Sequence, residues 1–152
     1  MIDKKEIENL CKSALTETQF LVEIKISNNN DIFVTIDDFN GLEIEECRRI
    51  SRFIEENLDR DKEDFSIEVS SPGLTNPFKV PEQYQKSLNK EVEVILKTGE
   101  KITGTLTTIR DDEIIISYSY FAKMANKKQQ ISEISKIKFQ DIKSTKSVIS
   151  FK

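Results

Sequence analysis

The sequence predicts an α+β chain in two parts, a unit ordered α-β-β-α-β followed by an all-β unit. Three observations lead there. Hydrophobic residues in the first half switch between helical spacing and strict alternation, whereas beyond Val92 they only alternate. Ser71-Pro72-Gly73 interrupts the pattern between these textures, because proline lacks a ladder donor and glycine permits backbone angles that other residues avoid. Charge divides near the same place: residues 1–78 hold 9 basic and 18 acidic side chains, a net −9, and residues 79–152 hold 14 and 9, a net +5, within a total of −4.

Asp3 is a helix cap with Glu6 three residues on, and Ile7, Leu10, Cys11, Ala14 and Leu15 then recur on one helical face. Phe20, Val22, Ile24 and Ile26 alternate, Asn28-Asn29-Asn30-Asp31 supplies turn chemistry, and Ile32, Val34 and Ile36 alternate again, which reads as a hairpin. Ile44, Cys47, Ile50, Ile54 and Leu58 return to a helical period, with Glu43, Glu45 and Glu46 where the helix dipole favours anions. Phe65, Ile67 and Val69 are the inward residues of a third strand. The result is a helix-on-sheet sandwich.

A short helix from Pro81 to about Leu88 opens the second half. Val92, Val94 and Leu96 alternate up to a Thr98-Gly99 turn, and further strands are expected at 102–109, 113–118, 132–139 and 146–151. About five short strands with tight turns suggest a small barrel of the SH3 or Sm kind. The expected division is an α/β domain over 1–74, a linker over 75–81 and a barrel over 82–152. Gly73 is expected at positive φ, so that an alanine there would be strained.

The chain contains no histidine, which removes the commonest general base near neutral pH, the commonest metal ligand and any Ser-His triad. Gly41, Gly73, Gly99 and Gly104 are too dispersed for a P-loop or a dinucleotide fingerprint. Asp37 with Asp38, and Asp59 with Asp61, read as solvated turn carboxylates rather than cation ligands. Cys11 and Cys47 fall on helical apolar stripes and read as buried, reduced thiols, which with no secretory or membrane-spanning pattern points to the cytosol. No enzyme activity and no cofactor are expected.

Nucleic-acid binding is the sharper question. A KH domain clamps RNA with a Gly-x-x-Gly loop, which is absent, and the half that looks KH-like carries −9. In the second half Lys123, Lys127 and Lys128 are expected in a loop just after Tyr118, Tyr120 and Phe121, which would bring cations and a stacking surface together. The alternative is a solvated hairpin tip with its aromatics packed on the barrel.

Val34-Thr35-Ile36-Asp37, Gly41-Leu42-Glu43-Ile44-Glu45-Glu46-Cys47, Ile50-Ser51-Arg52, Leu58-Asp59 and above all Glu68-Val69-Ser70-Ser71-Pro72-Gly73-Leu74 resemble, in order and spacing, the bacterial RimP family of ribosome maturation factors. The resemblance implies a KH-like amino-terminal domain, an SH3-like or Sm-like carboxy-terminal barrel, and no catalysis. It further implies binding to the immature small (30S) ribosomal subunit and to a very basic ribosomal protein, the twelfth of that subunit. Glu68, Ser70, Ser71, Pro72, Gly73, Leu74 and Pro77 then become candidates for interdomain or partner contact, and Tyr118, Tyr120, Lys123, Lys127 and Lys128 for contact with RNA or the ribosome. The family usually follows Ser-Pro-Gly-Leu with an Asp-Arg pair and a proline, whereas here Thr75-Asn76 precedes Pro77. An acidic monomer suits a basic partner, since complementary charge speeds encounter. The competing expectation is an Sm-like RNA-binding regulator acting away from the ribosome.

Overall fold

The computed structural model describes residues 2–73, 76–125 and 127–148. The chain divides into two compact units, residues 1–73 and 74–152.

In the first unit α1 (Lys4–Ala14) starts at Asp3, whose carboxylate accepts the Lys5 amide at 3.1 Å, and buries Ile7, Cys11 and Ala14. β1 (Gln19–Ile26) and β2 (Asp31–Asp38) form an antiparallel hairpin whose turn places Asn30 at φ +59°. α2 (Ile44–Glu56) crosses over to β3 (Ser66–Ser70), which pairs in parallel with β2. A parallel neighbour needs such a crossover, and β2 becomes the central strand of the order β1-β2-β3. Ile24, Ile32, Val34, Ile36, Ile50, Ile54 and Phe65 form one core with the α1 residues.

Two expectations for this unit are corrected. Ile44, assigned to the buried stripe, is 72% exposed. At 100° per residue it lies about 100° round the axis from the buried Ile50 and Ile54, so the stripe drifts off it. Asp37 and Asp38, expected in solvent, are 8% exposed each. They cap the end of β2: Asp37 Oδ1 accepts the Asp38 amide and Asp38 Oδ1 the Asn40 amide, both at 2.9 Å. Asp59 and Asp61 do lie in an exposed turn, where Asp59 Oδ1 accepts the Asp61 amide.

The helices are tied by a polar network. Arg49 donates through Nε to Glu46 Oε2 at 2.9 Å and through Nη1 to the Ala14 carbonyl at 2.8 Å, while Gln19 Nε2 donates to Glu46 Oε1 at 2.7 Å. Arg49 thus joins α2 to a carbonyl at the end of α1. Both cysteines are free. Burial pushes the Cys11 thiol up to about 11, and burial with the nearby Glu46 carboxylate raises Cys47 as well. We expect iodoacetamide at about pH 8 to label Cys11 far more slowly in the native chain than in urea, with Cys47 between, because the thiolate is the nucleophile. Equal native and denatured rates, read by mass spectrometry, would contradict this.

The second unit begins with Phe78, whose amide donates to the Thr145 carbonyl at 2.7 Å and whose ring meets Tyr84 edge-on at 5.0 Å. α3 (Pro81–Lys86) is capped by the buried Gln83, which accepts the Lys79 and Val80 amides. β4 (Glu91–Leu96), β5 (Lys101–Ile109), β6 (Glu113–Met124), β7 (Lys127–Lys138), a 3₁₀ turn (Phe139–Asp141) and β8 (Ile142–Ser147) follow. They make one antiparallel sheet in the order β7-β6-β5-β4-β8, around Val92, Val94, Leu106, Ile114, Ile116 and Ile137. β4 therefore sits between its successor and the last described strand, the connectivity of an SH3-like small barrel. Tyr84 packs against this core and donates to the buried Thr145 hydroxyl at 2.8 Å.

The last two strands differ from expectation. β7 starts at Lys127 rather than Ser132, and β8 at Ile142 rather than Lys146. Residues 149–151 of the expected final strand lie outside the described residues.

Candidate functional site

The signature residues of the first unit sit on and just after its edge strand. On β3, Glu68 and Ser70 are exposed and stand opposite Phe33 and Thr35 of β2. Those two in turn face Lys25 and Glu23 of β1. Since Ile32, Val34 and Ile36 take the core face, strand alternation puts Phe33 and Thr35 on the face away from the core helices. Phe33 is 45% exposed there, between Lys25 and Glu68, and Lys25 is paired with Glu23 at 3.1 Å. Ser71 and Gly73 are exposed and Pro72 is half-buried. Leu74 lies outside the described residues. Gly73 adjoins it, and the left-handed glycines described are Gly41 and Gly99, both at φ +95°. Pro77 is exposed and falls in the second unit.

The second set is brought together by a feature that sequence periodicity had stopped short of. The β5–β6 ladder ends at the Thr105–Ser117 pair, yet β6 and β7 continue for seven further pairs, from Tyr118–Glu133 to Met124–Lys127. This two-stranded ribbon is about 20 Å long at 3.3 Å per residue. Lys123, Lys127 and Lys128, expected in a loop, are ladder residues, and Ala125, just after β6, takes φ +51°.

The ribbon has two different faces. On one, the Tyr118 and Tyr120 hydroxyls donate to opposite oxygens of the Glu133 carboxylate at 3.0 and 3.1 Å, and this sharing pushes both phenols above their ordinary range. On the other, Lys123 faces Lys128, Phe121 faces Gln130 and Ser119 faces Ser132. Phe121 is 71% exposed and Gln130 donates to the Ser119 hydroxyl at 3.3 Å. Among the described residues no carboxylate pairs with Lys123, Lys127 or Lys128. Elsewhere in this unit a cleft of about 1010 Å³ is lined by Phe78, Pro81, Leu88, Ile109 and Phe139, with Lys79 and Arg110 at hand. Its lining is mostly hydrocarbon.

Comparison with known proteins decides the family. Residues 7–75 match the model of the RimP N-terminal domain, and so take in the core of the first unit from Ile7 onward. The ribosome maturation factor RimP of Porphyromonas gingivalis is 37% identical over 98% of this chain and all of its own length. The chain belongs to the RimP family of ribosome maturation factors. The Flavobacterium psychrophilum member is 30% identical over 99% of the chain and all of its own length, and that of Christiangramia forsetii is 33% identical over 76% of each. RimP membership places the chain in ribosome biogenesis, as an assembly factor. Its α+β architecture, an α-β-β-α-β unit followed by an antiparallel five-stranded one, accords with RimP.

Sequence reasoning passed over the exposed Phe33 and placed Phe121 on one surface with Tyr118 and Tyr120. Phe33 sits between two inward residues of a recognised strand, so parity alone marks it as outward. Phe121 was grouped with its neighbours Tyr118 and Tyr120, although odd and even positions of β6 point oppositely.

Proposed function

We propose that this protein is a cytoplasmic assembly factor for the small ribosomal subunit, binding the immature subunit and its basic twelfth protein without catalysing a reaction. The full-length identity to ribosome maturation factors carries the reading. The physical support is the division of labour between the halves. The net −9 of residues 1–78, with Glu68 and Glu23 around an exposed Phe33, favours a lysine- or arginine-rich protein, since a cation over an aromatic face gains about 0.5–1 kcal/mol at an exposed site. The +5 of residues 79–152, with its unpaired ribbon lysines, tolerates phosphate.

Gradient sedimentation tests the proposal. The protein is expected to comigrate with free small subunits and to be absent from translating ribosomes, and its depletion should accumulate small-subunit precursors. A protein that stays at the top of the gradient, with unchanged subunit profiles on depletion, would refute it. The ribbon lysines favour a second reading, an Sm-like RNA-binding regulator acting away from the ribosome. That reading predicts the refuting gradient together with a steep salt dependence of binding to bare RNA.

A further inference from the structure

We infer that the outward face of the β6–β7 ribbon is a docking surface for unpaired RNA, with Phe121 stacking on a base and Lys123 and Lys128 on the flanking phosphates. The inference rests on the maturation reading only for the source of that RNA, the incompletely folded rRNA of an assembling subunit.

The first argument is electrostatic. Lys123 and Lys128 are directly opposed across the ladder, whereas Lys127, opposite Met124 in the adjacent row, alternates to the tyrosine face. Like charges directly opposite each other on a sheet are destabilising. A ribbon selected only for its own stability would carry an opposite charge at one of these positions, and no carboxylate pairs with these lysines among the described residues. The free protein holds a repulsion that an anion between the strands would relieve.

The second argument concerns the ring. Phe121 leaves 71% of its surface in water on the lysine face, next to Gln130 and the Ser119 and Ser132 hydroxyls. A single ring among hydrogen-bonding groups and cations matches a base and its backbone, because every base offers a π-face and every linkage a phosphate. A protein or membrane partner would call for a continuous apolar patch. Ile134, the other exposed apolar residue on this face, is separated from the Phe121–Gln130 row by the Ser119–Ser132 row.

The third argument is mechanical. An isolated two-stranded hairpin is marginally stable in water. Here the opposite face is stitched by Tyr118 and Tyr120 to the one Glu133 carboxylate, which holds the ribbon in shape and turns both phenols away from the RNA-facing side. The tyrosines position the surface, and Phe121 makes the contact.

The test uses the full chain and a fluorescein-labelled oligouridylate of about ten nucleotides, a length within the usual range of single-stranded sites. Phe121→Ala is expected to weaken binding about tenfold, as loss of one stacked base does. Lys128→Gln is expected to lower the slope of log affinity against log salt by about 0.7. It should also raise the thermal midpoint by roughly 1–4 °C, as opposed like charges are relieved. Lys62→Gln, which removes a cation of the acidic half, should change neither affinity nor slope. Unchanged affinity and slope in both Phe121→Ala and Lys128→Gln overturn the proposal, as does Phe121-dependent binding to phosphatidylserine vesicles without binding to oligouridylate. If comigration with small subunits persists while these variants bind RNA normally, the ribbon proposal fails alone. If RNA binding depends on Phe121 and comigration is never seen, the maturation reading fails alone.

Discussion

Gly104→Ala is expected to destabilise the second unit by about 3 kcal/mol, at the upper end for overpacking, and to lower its thermal midpoint by more than about 10 °C. A Cβ on Gly104 would lie 2.5 Å from the Ser117 carbonyl oxygen and 2.7 Å from Ile116 Cγ2. The first of these is backbone and cannot rotate away, so β5 and β6 must separate. Ser117 is the last β6 residue paired with β5 before the ribbon begins, and the same Cβ would sit 3.1 Å from Tyr118 Cβ. The damage therefore falls at the root of the ribbon, and RNA affinity should drop with stability. Gly99→Ala is the control. Gly99 has open space around it but φ +95°, so the change strains only the backbone and should cost roughly 1 kcal/mol. Calorimetry of the two variants separates close approach from backbone strain, and equal losses would disprove the close-approach account.

Ile54→Ala is expected to cost about 3–4 kcal/mol, the usual range for a buried isoleucine truncated where the surroundings cannot collapse. Only Ile50 and Ile54 of α2 are buried, both at 0% exposure, so the helix is held to the sheet by two side chains and partial contacts from Cys47 and Phe53. A unit of this size has about 4–11 kcal/mol of stability in all. The variant should leave the first unit partly unfolded near physiological temperature and, on the proposed function, weaken binding to a basic partner. Amide exchange along α1, α2 and β1–β3 would show this. Protection equal to that of the wild type would mean that α2 is anchored by its polar network through Arg49 instead.

Most of the first unit was legible because its apolar residues obey one period at a time. Asp3, Ile7, Cys11, Ile32, Val34, Ile50 and Ile54 all take the roles their spacing implies. The misreadings have different causes. Ile44 fits a helical spacing locally, but drift round the axis carries it off the stripe. Asp37 and Asp38 look like turn residues, yet they are the last two residues of β2, paired with Phe20 and Gln19, and each accepts a nearby amide. The ribbon was cut short because 124–127 has neither glycine nor proline, so Ala125 in a left-handed conformation gives no compositional signal. Its lysines then passed for loop residues, since polar strands exposed on both faces lack the alternation by which strands are recognised. The motif around Ser70–Leu74 made the family readable. The partner contact expected of it would involve a surface assembled from three strands, which no linear pattern displays.

The sheet order of the second unit has a consequence for how the molecule is made. β4 is flanked by β5, its neighbour in sequence, and by β8, so that Val92 pairs with Ser147. A nascent chain can complete the first unit once Ser70 has emerged, since its strands and helices all precede that point. The barrel must wait until β8 has left the exit tunnel, with β4 exposing one unsatisfied edge in the meantime. Non-local pairing of this kind slows folding and prolongs exposure of strand edges. During synthesis the acidic unit is thus expected to stand finished on the ribosome while its basic companion is still incomplete, so the proposed affinity for a basic protein would mature before the proposed affinity for RNA.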